Sequence, residues 1–242
     1  MQQRIIAMWS GPRNISTAML RSWGNRADTD VIDEPFYAHY LDQTGYDHPG
    51  ADKVIATYET DWQKIVKHVT GASPNNKPIW YQKHMTHHML DHIDKSWMTQ
   101  VTNCFLIREP RRMILSFAKV IPNPEVDQMG LKHQVDIFQY IRDATGEIPP
   151  VISARDVLQN PRKTLSKLCD AINIPFDEAM LEWEAGKRDT DGVWAEYWYK
   201  SVEKSTAFTA YKDDDTPIPE HLKSLLDECQ DLYDQMAQYC IN

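Results

Sequence analysis

Arg13, Ser16 and Thr17 fall close together in RIIAMWSGPRNISTAMLRSW (Arg4–Trp23), and their types suit an anion. A guanidinium is a planar, permanently charged fork that matches two oxygens of a phosphate or sulfate. A helix opening at Ser16 and Thr17 would add two hydroxyls, free backbone N–H groups and the positive end of its dipole. Gly11 lets the backbone approach a ligand, Pro12 stiffens the bend, and Asn14 completes the turn. The loop is not the nucleotide-binding GxxxxGK[ST], because Asn14-Ile15 stands where Gly-Lys would be. On these residues alone, the plainer alternative is that Ser16 and Thr17 only cap a helix, with Arg13 on the surface.

Two further constellations carry chemistry. In NCFLIREPRRMILSFAKV (Asn103–Val120), Arg108 ends a buried strand and Ser116 lies on the helix that follows the Pro turn. Ligands of open α/β sheets sit outside the carboxyl ends of the strands, so this pair could grip a second phosphate. The plainer reading pairs Arg108 with Glu109 and lets Ser116 bond its own helix. In WYQKHMTHHML (Trp80–Leu90), a strand ends near Gln82, Lys83 comes at its edge, and His84, His87 and His88 follow. Histidine titrates near neutrality and suits a general base. His84 leads, His88 is next, and Glu34, before Pro35 in VIDEPFYAHY, is a carboxylate rival. Asp33 reads equally well as an N-cap of a helix starting at Pro35. His84 and His88 are four residues apart, but with no third ligand evident we expect no metal.

The elements that must position these groups follow from periodicity. Short apolar runs predict strands at Ile5–Trp9, Val31–Asp33, Pro78–Gln82, Val101–Ile107 and Pro150–Ser153. Between them Ile15, Met19 and Trp23 share a helical face, as do Met113, Ile114, Phe117 and Val120. Helices are also expected over Val126–Thr145, Pro161–Ile172 and Ile218–Tyr239. Asp42–Asp52, Gly71–Pro78 and Lys212–Pro219 carry turn residues and read as loops. Alternating strands and helices predict a P-loop-like, doubly wound α/β fold with a mainly parallel sheet flanked by helices, as one domain over 1–242.

The chain has 242 residues and a net charge of −9, which argues against a nucleic-acid-coating surface but allows a local positive pocket. Its longest apolar runs are a few residues, so no membrane span is expected, and the start does not read as a secretory signal. Four scattered cysteines without a CxxC pair read as reduced thiols of a cytoplasmic protein.

The loop SGPRNIST, the strand–helix LIREPRRMILSF and a third block, VISARDVLQNPRKTLSKLCDAINIPFDEAML (Val151–Leu181), together resemble PAPS-dependent sulfotransferases, in particular their bacterial branch. PAPS is 3′-phosphoadenosine 5′-phosphosulfate. The resemblance implies that Gly11, Pro12, Arg13, Asn14, Ser16 and Thr17 bind its 5′-phosphosulfate, and that Arg108 and Ser116 bind its 3′-phosphate. It further implies Lys83 near the transferring group, a histidine shortly after it as base, and a late basic loop in which Lys200 or Lys204 would serve. PAPS would be the sulfuryl donor, without a metal, and a hydroxyl or amine of a small molecule the acceptor. The family's loop commonly has Ser-Gly-Thr after its basic residue, whereas Ile15 stands here near the place of that glycine. An ATP-dependent small-molecule kinase, or a non-catalytic nucleotide-binding module on the same fold, are the alternatives.

Overall fold

The computed structural model describes residues 3–241. Five strands form one sheet: β1 (Arg4–Ser10), β2 (Thr29–Asp33), β3 (Ile79–Met85), β4 (Thr102–Ile107) and β5 (Val151–Ser153). Their order is β2-β3-β1-β4-β5, and every pairing is parallel. The helices are α1 (Ser16–Gly24), α2 (Tyr37–Thr44), α3 (Ala51–Thr57), α4 (Trp62–Val69), α5 (Pro110–Phe117), α6 (Val126–Met129), α7 (Leu131–Thr145), α8 (Ala154–Gln159), α9 (Pro161–Ala171), α10 (Ala195–Trp198) and α11 (Lys223–Ala237). The doubly wound α/β expectation holds, and each expected strand exists.

Period-2 alternation splits the sheet's side chains between two cores. Ile6 and Met8 of β1, Ile79 and Tyr81 of β3, and Cys104 and Leu106 of β4 pack with residues of α1, α8 and α9. Trp23 of α1 stacks on Tyr81 with ring centroids 5.0 Å apart. Ala7, Trp9, Phe105 and Ile107 point the other way, into a layer built by α4, α7 and α11. Both faces are covered, as a parallel sheet requires.

β1 lies at the centre, with β3 on one side and β4 on the other. The chain moves outward from β1 in one direction and later returns to build β4 and β5 in the other, which opens a crevice at the carboxyl ends of the central strands. Gln134 of α7 spans that crevice, its Nε2 donating to Trp9 O at 3.2 Å and Leu106 O at 3.1 Å.

Several boundaries differ from expectation. β3 runs on through Lys83, His84 and Met85 instead of ending at Gln82, because Lys83 is neutralised by distant partners and can remain inside a strand. The Val126–Thr145 helix is broken at Gly130, whose φ of +70° is left-handed. A Cβ there would meet Thr86 Oγ1 at 2.7 Å, so the break lets the chain pass close to the end of β3. α2 begins at Tyr37 rather than Pro35, and Asp33 does not cap it. The last helix starts at Lys223, after a single tight turn over Glu220–Leu222. Among the described residues, no helix is long and apolar enough to cross a membrane.

Candidate active site

A cavity of about 460 Å³ opens at the carboxyl ends of β1 and β3. The turn after β1 takes a left-handed step at Arg13, with φ +55°. Such a conformation is costly for a residue with a Cβ and marks strained, functional backbone. Ile15 has φ −88° and needs no left-handed conformation; the left-handed step of this turn falls two residues earlier, on Arg13. Ile15 packs on the core beneath α1. Asn14 pins the turn: its Nδ2 donates to Leu106 O at 3.0 Å, and its Oδ1 accepts from the Ile15 N–H at 2.8 Å.

Hydrogen bonds link Arg13, Arg108 and Ser116 into one connected group on the cavity wall. Arg13 Nε donates to Ser116 Oγ at 3.1 Å, and an Arg108 Nη donates to the Arg13 carbonyl at 2.5 Å. Burial holds both guanidiniums below their ordinary value. Among the described residues the arginine ion pairs involve Arg21, Arg26, Arg142, Arg155 and Arg162, never Arg13 or Arg108. Two desolvated cations without a carboxylate are costly unless an anion joins them. Pro12, Ser16 and Thr17 line the same cavity, and neither hydroxyl has a protein hydrogen-bond partner among the described residues. Arg112, Tyr211 and Lys212 close the far wall, with Arg112 stacked over Tyr211 at 4.4 Å.

At the other end stands a buried charged cluster. Lys83 Nζ donates to Asp33 Oδ1 at 2.8 Å, Glu34 Oε1 at 2.5 Å and the Tyr199 hydroxyl at 2.7 Å. Tyr199 in turn donates to Asp33 Oδ2 at 2.5 Å and accepts from the Trp194 indole at 3.1 Å. Two carboxylates hold the ammonium well above its usual value against the opposing effect of burial. The Glu34 carboxyl is raised, by burial first, with Lys83 pulling it back. Glu34 also sits at a left-handed φ of +44°, immediately after β2. The turns after β1 and β2 are thus both strained, and both put their charged residue on the cavity.

The histidines divide. His84 does not reach the cavity, which corrects its place as leading base. It is one residue from Lys83 in a strand and so faces the opposite side of the sheet, stacked on Trp9 at 4.5 Å and beside Phe36 and Trp97. Burial drives its ring down to about 3, and it bonds Gln82 Oε1 at 3.0 Å. His87 and His88 do line the cavity, together with Tyr37 and His48. His88 is stacked between Tyr37 and Tyr40 at 4.9 and 4.8 Å. Burial holds both rings, and that of His48, below the ordinary value.

Two more expectations change. Gly11 is buried and off the cavity; a Cβ there would meet Met113 Cε and Met129 O, each at 2.7 Å. It serves the close approach of the loop to the chain before α7, not of a ligand to the loop. Lys204 is exposed and lies off the cavity wall, as does Lys200, because this stretch forms only short turns with their basic ends outward. Asp33, His48, Trp198, Tyr199 and Tyr211 were not foreseen at the site. Asp33 carried a signal, as a carboxylate at a strand end, and Trp198 and Tyr199 carried one in the aromatic-dense stretch after Asp191.

The sulfotransferase domain family profile matches residues 3–239. The chain belongs to the sulfotransferase domain family. Two Arabidopsis thaliana proteins are similar to this sulfotransferase domain. Branched-chain-amino-acid aminotransferase-like protein 1 is 38% identical over 238 residues, 98% of this chain and 42% of that protein. Branched-chain-amino-acid aminotransferase-like protein 2 is 35% identical over 229 residues, 95% of this chain and 40% of that protein. The domain therefore spans about two fifths of the length of these relatives. Their names describe those longer proteins.

Solved bacterial sulfotransferases share the fold. The sulfotransferase from Alicyclobacillus acidocaldarius superposes with a TM-score of 0.55 at 9% identity, covering 100% of this chain and 98% of its own. The sulfotransferase domain of the Synechococcus PCC 7002 olefin synthase gives 0.51 at 14% identity, covering 94% and 95%. Membership of the family supports sulfuryl transfer as the general reaction. The cavity of this sulfotransferase domain carries two arginines outside any ion pair among the described residues at one end and a carboxylate bound to a buried ammonium at the other.

Proposed function

We propose that the chain moves a sulfuryl group from PAPS to a hydroxyl or amine of a small acceptor. The observation that carries this reading is the linked pair Arg13 and Arg108, two desolvated guanidiniums on one cavity without a carboxylate partner among the described residues. Arg13, the N–H groups opening α1, and the Ser16 and Thr17 hydroxyls would hold the phosphosulfate. Arg108 would hold the 3′-phosphate, and Ser116, whose hydroxyl accepts from Arg13 Nε, would add its hydroxyl there. PAPS supplies the activated sulfuryl group when bound.

The remaining chemistry falls to the chain's own residues. Arg13 would offset the negative charge that a departing donor phosphate develops. Glu34 takes the acceptor's proton: it lines the cavity, and burial lifts its carboxyl toward the range of a useful base. Lys83 keeps Glu34 ionised before the transfer, and the Tyr199 hydroxyl and Asp33 hold Lys83 in place. A cytoplasmic setting and a small-molecule partner go with this reading.

Calorimetric titration tests it. The chain is titrated with 3′,5′-ADP and, separately, with Mg-ATP. Binding of 3′,5′-ADP that is lost in Arg108→Ala supports the reading, and preference for Mg-ATP would sink it. Binding of 3′,5′-ADP with no acceptor sulfated from PAPS would favour a non-catalytic module.

A further inference from the structure

One side chain joins two backbone carbonyls where the central strands separate. Trp9 and Leu106 are the penultimate residues of β1 and β4, and the ladder between these strands ends at the pair Ser10 and Leu106. Beyond it the chains part, β1 into the turn that carries Arg13 and β4 toward Arg108 and α5. Gln134 Nε2 lies between them, donating to Trp9 O at 3.2 Å and to Leu106 O at 3.1 Å. A carboxamide nitrogen has two N–H donors, one for each carbonyl. Leu106 O also accepts from Asn14 Nδ2 at 3.0 Å, so two side chains meet on one oxygen, which has two lone pairs to offer. The residue type follows from this geometry. A glutamate would set a carboxylate against two carbonyls, and an aliphatic chain would offer them nothing.

We propose that Gln134 is a positioning residue for the donor: from behind the cavity it sets the spacing between the Arg13 turn and Arg108, and so between the sites for the two phosphate ends of one nucleotide. The inference rests on the PAPS reading, for which it names what fixes the distance between the two anion sites. Gln134 is fully buried and is not part of the cavity wall, so it acts only through what it holds. One of its bonds falls four residues before Arg13 and the other two residues before Arg108. The Asn14 bond to the same Leu106 oxygen carries the tie into the turn itself, next to Arg13. The start of α7 gives Gln134 a firm base. Just past the end of β3, Thr86 Oγ1 donates to Gly130 O at 2.6 Å. On the other side Met129 O lies so near Gly11 that a Cβ there would meet it at 2.7 Å. The ends of β1, β3 and β4 thus share one brace, placed where the ladder no longer holds β1 to β4. The Arg108 bond to the Arg13 carbonyl spans the same gap, but it runs through a side chain that a bound phosphate would also claim.

The test uses two bisphosphates of equal charge and different spacing. The full chain and Gln134→Met, which keeps the side chain's length without its donors, are titrated calorimetrically with 3′,5′-ADP and with 2′,5′-ADP. The wild-type chain is expected to prefer 3′,5′-ADP at least about tenfold, and Gln134→Met to lower that preference at least about threefold. A merely structural role would weaken both ligands alike and leave their ratio where it was. An unchanged ratio, or a wild-type chain that binds the two equally, overturns the inference while the donor reading stands. If thermal melts show that Gln134→Met does not fold, Gln134→Asn, whose amide falls short by one methylene, is titrated in its place. Failure of both variants to fold makes the role of Gln134 structural and overturns the inference. Failure of the wild-type chain to bind 3′,5′-ADP removes the donor reading, and this inference with it.

Discussion

Replacing Lys83 with methionine removes one charge and keeps most of the stem's volume. Lys83 is 1% exposed, and its ammonium is bound by three oxygens at 2.8, 2.5 and 2.7 Å. Without it, carboxylates whose side chains are 1% and 11% exposed are left with no cation between them. Removing one partner of a buried pair costs about 3–5 kcal/mol. Each kcal/mol lowers Tm by about 2–4 °C in a chain of this size, so a fall of roughly 6–20 °C is expected near neutral pH. The pH dependence has a defined sign. The Glu34 carboxyl is already raised, and Lys83 opposes that rise, so losing Lys83 lifts it further. A folded-state carboxyl above its unfolded value destabilises at higher pH, and the penalty fades as pH falls through the raised value. Thermal melts followed by circular dichroism at about pH 7.5 and about pH 5 should show the gap to wild type narrowing on acidification. A gap under about 2 °C near pH 7.5, or one that widens in acid, refutes the reasoning.

Other expectations concern single positions. Glu34→Gln should lower kcat by about 10²–10⁴ and leave 3′,5′-ADP affinity unchanged; in wild type the rate should climb with pH through a value above the ordinary 4.5, since the base acts ionised and its carboxyl is raised. Equal rates for the variant and wild type would remove Glu34 from that role. Gly11→Ala should destabilise by about 1–3 kcal/mol, because the Met113 tip can swing aside from the new Cβ but the Met129 carbonyl cannot. An unchanged melt would show that the loop yields. Burial raises the Cys169 and Cys240 thiols to about 11 and that of Cys229 to about 12. Iodoacetamide should therefore label the native chain slowly, and mass spectrometry showing rapid modification of buried Cys104 or Cys229 would contradict this.

What the sequence disclosed was local. The strands were legible because apolar runs such as CFLI end in turn residues, and the anion loop because Arg13, Ser16 and Thr17 are neighbours. The end of β3 was not legible. A lysine looks like the end of a buried strand unless one knows that Asp33 and Tyr199, 50 and 116 residues away, will meet it. The choice among histidines failed for the same reason, since only the full extent of β3 shows that His84 shares a face with Gln82 and not with Lys83. His48 was hidden in a turn-rich loop, and its ring reaches the cavity only through tertiary packing against Tyr37. Tyr199 follows the single turn of α10 (Ala195–Trp198), and only the tertiary fold shows that it turns inward to Lys83 and Asp33.

The alternation at the end of β3 also bears on how the sheet finds its alignment. A slip of β3 by one residue would exchange its two faces, carrying the ammonium of Lys83 in among Trp9, Phe36 and Trp97 and bringing the His84 ring to face Asp33 and Glu34. The misaligned sheet would then hold an isolated cation in an apolar layer and set two carboxylates opposite an imidazole in place of the ammonium that binds them. The Lys83 cluster would thus act as an electrostatic key for pairing β3 with β1 and β2. Substitutions that spare the active carboxylate but blunt this key should appear first as misfolded product during refolding, before they appear as slow enzyme.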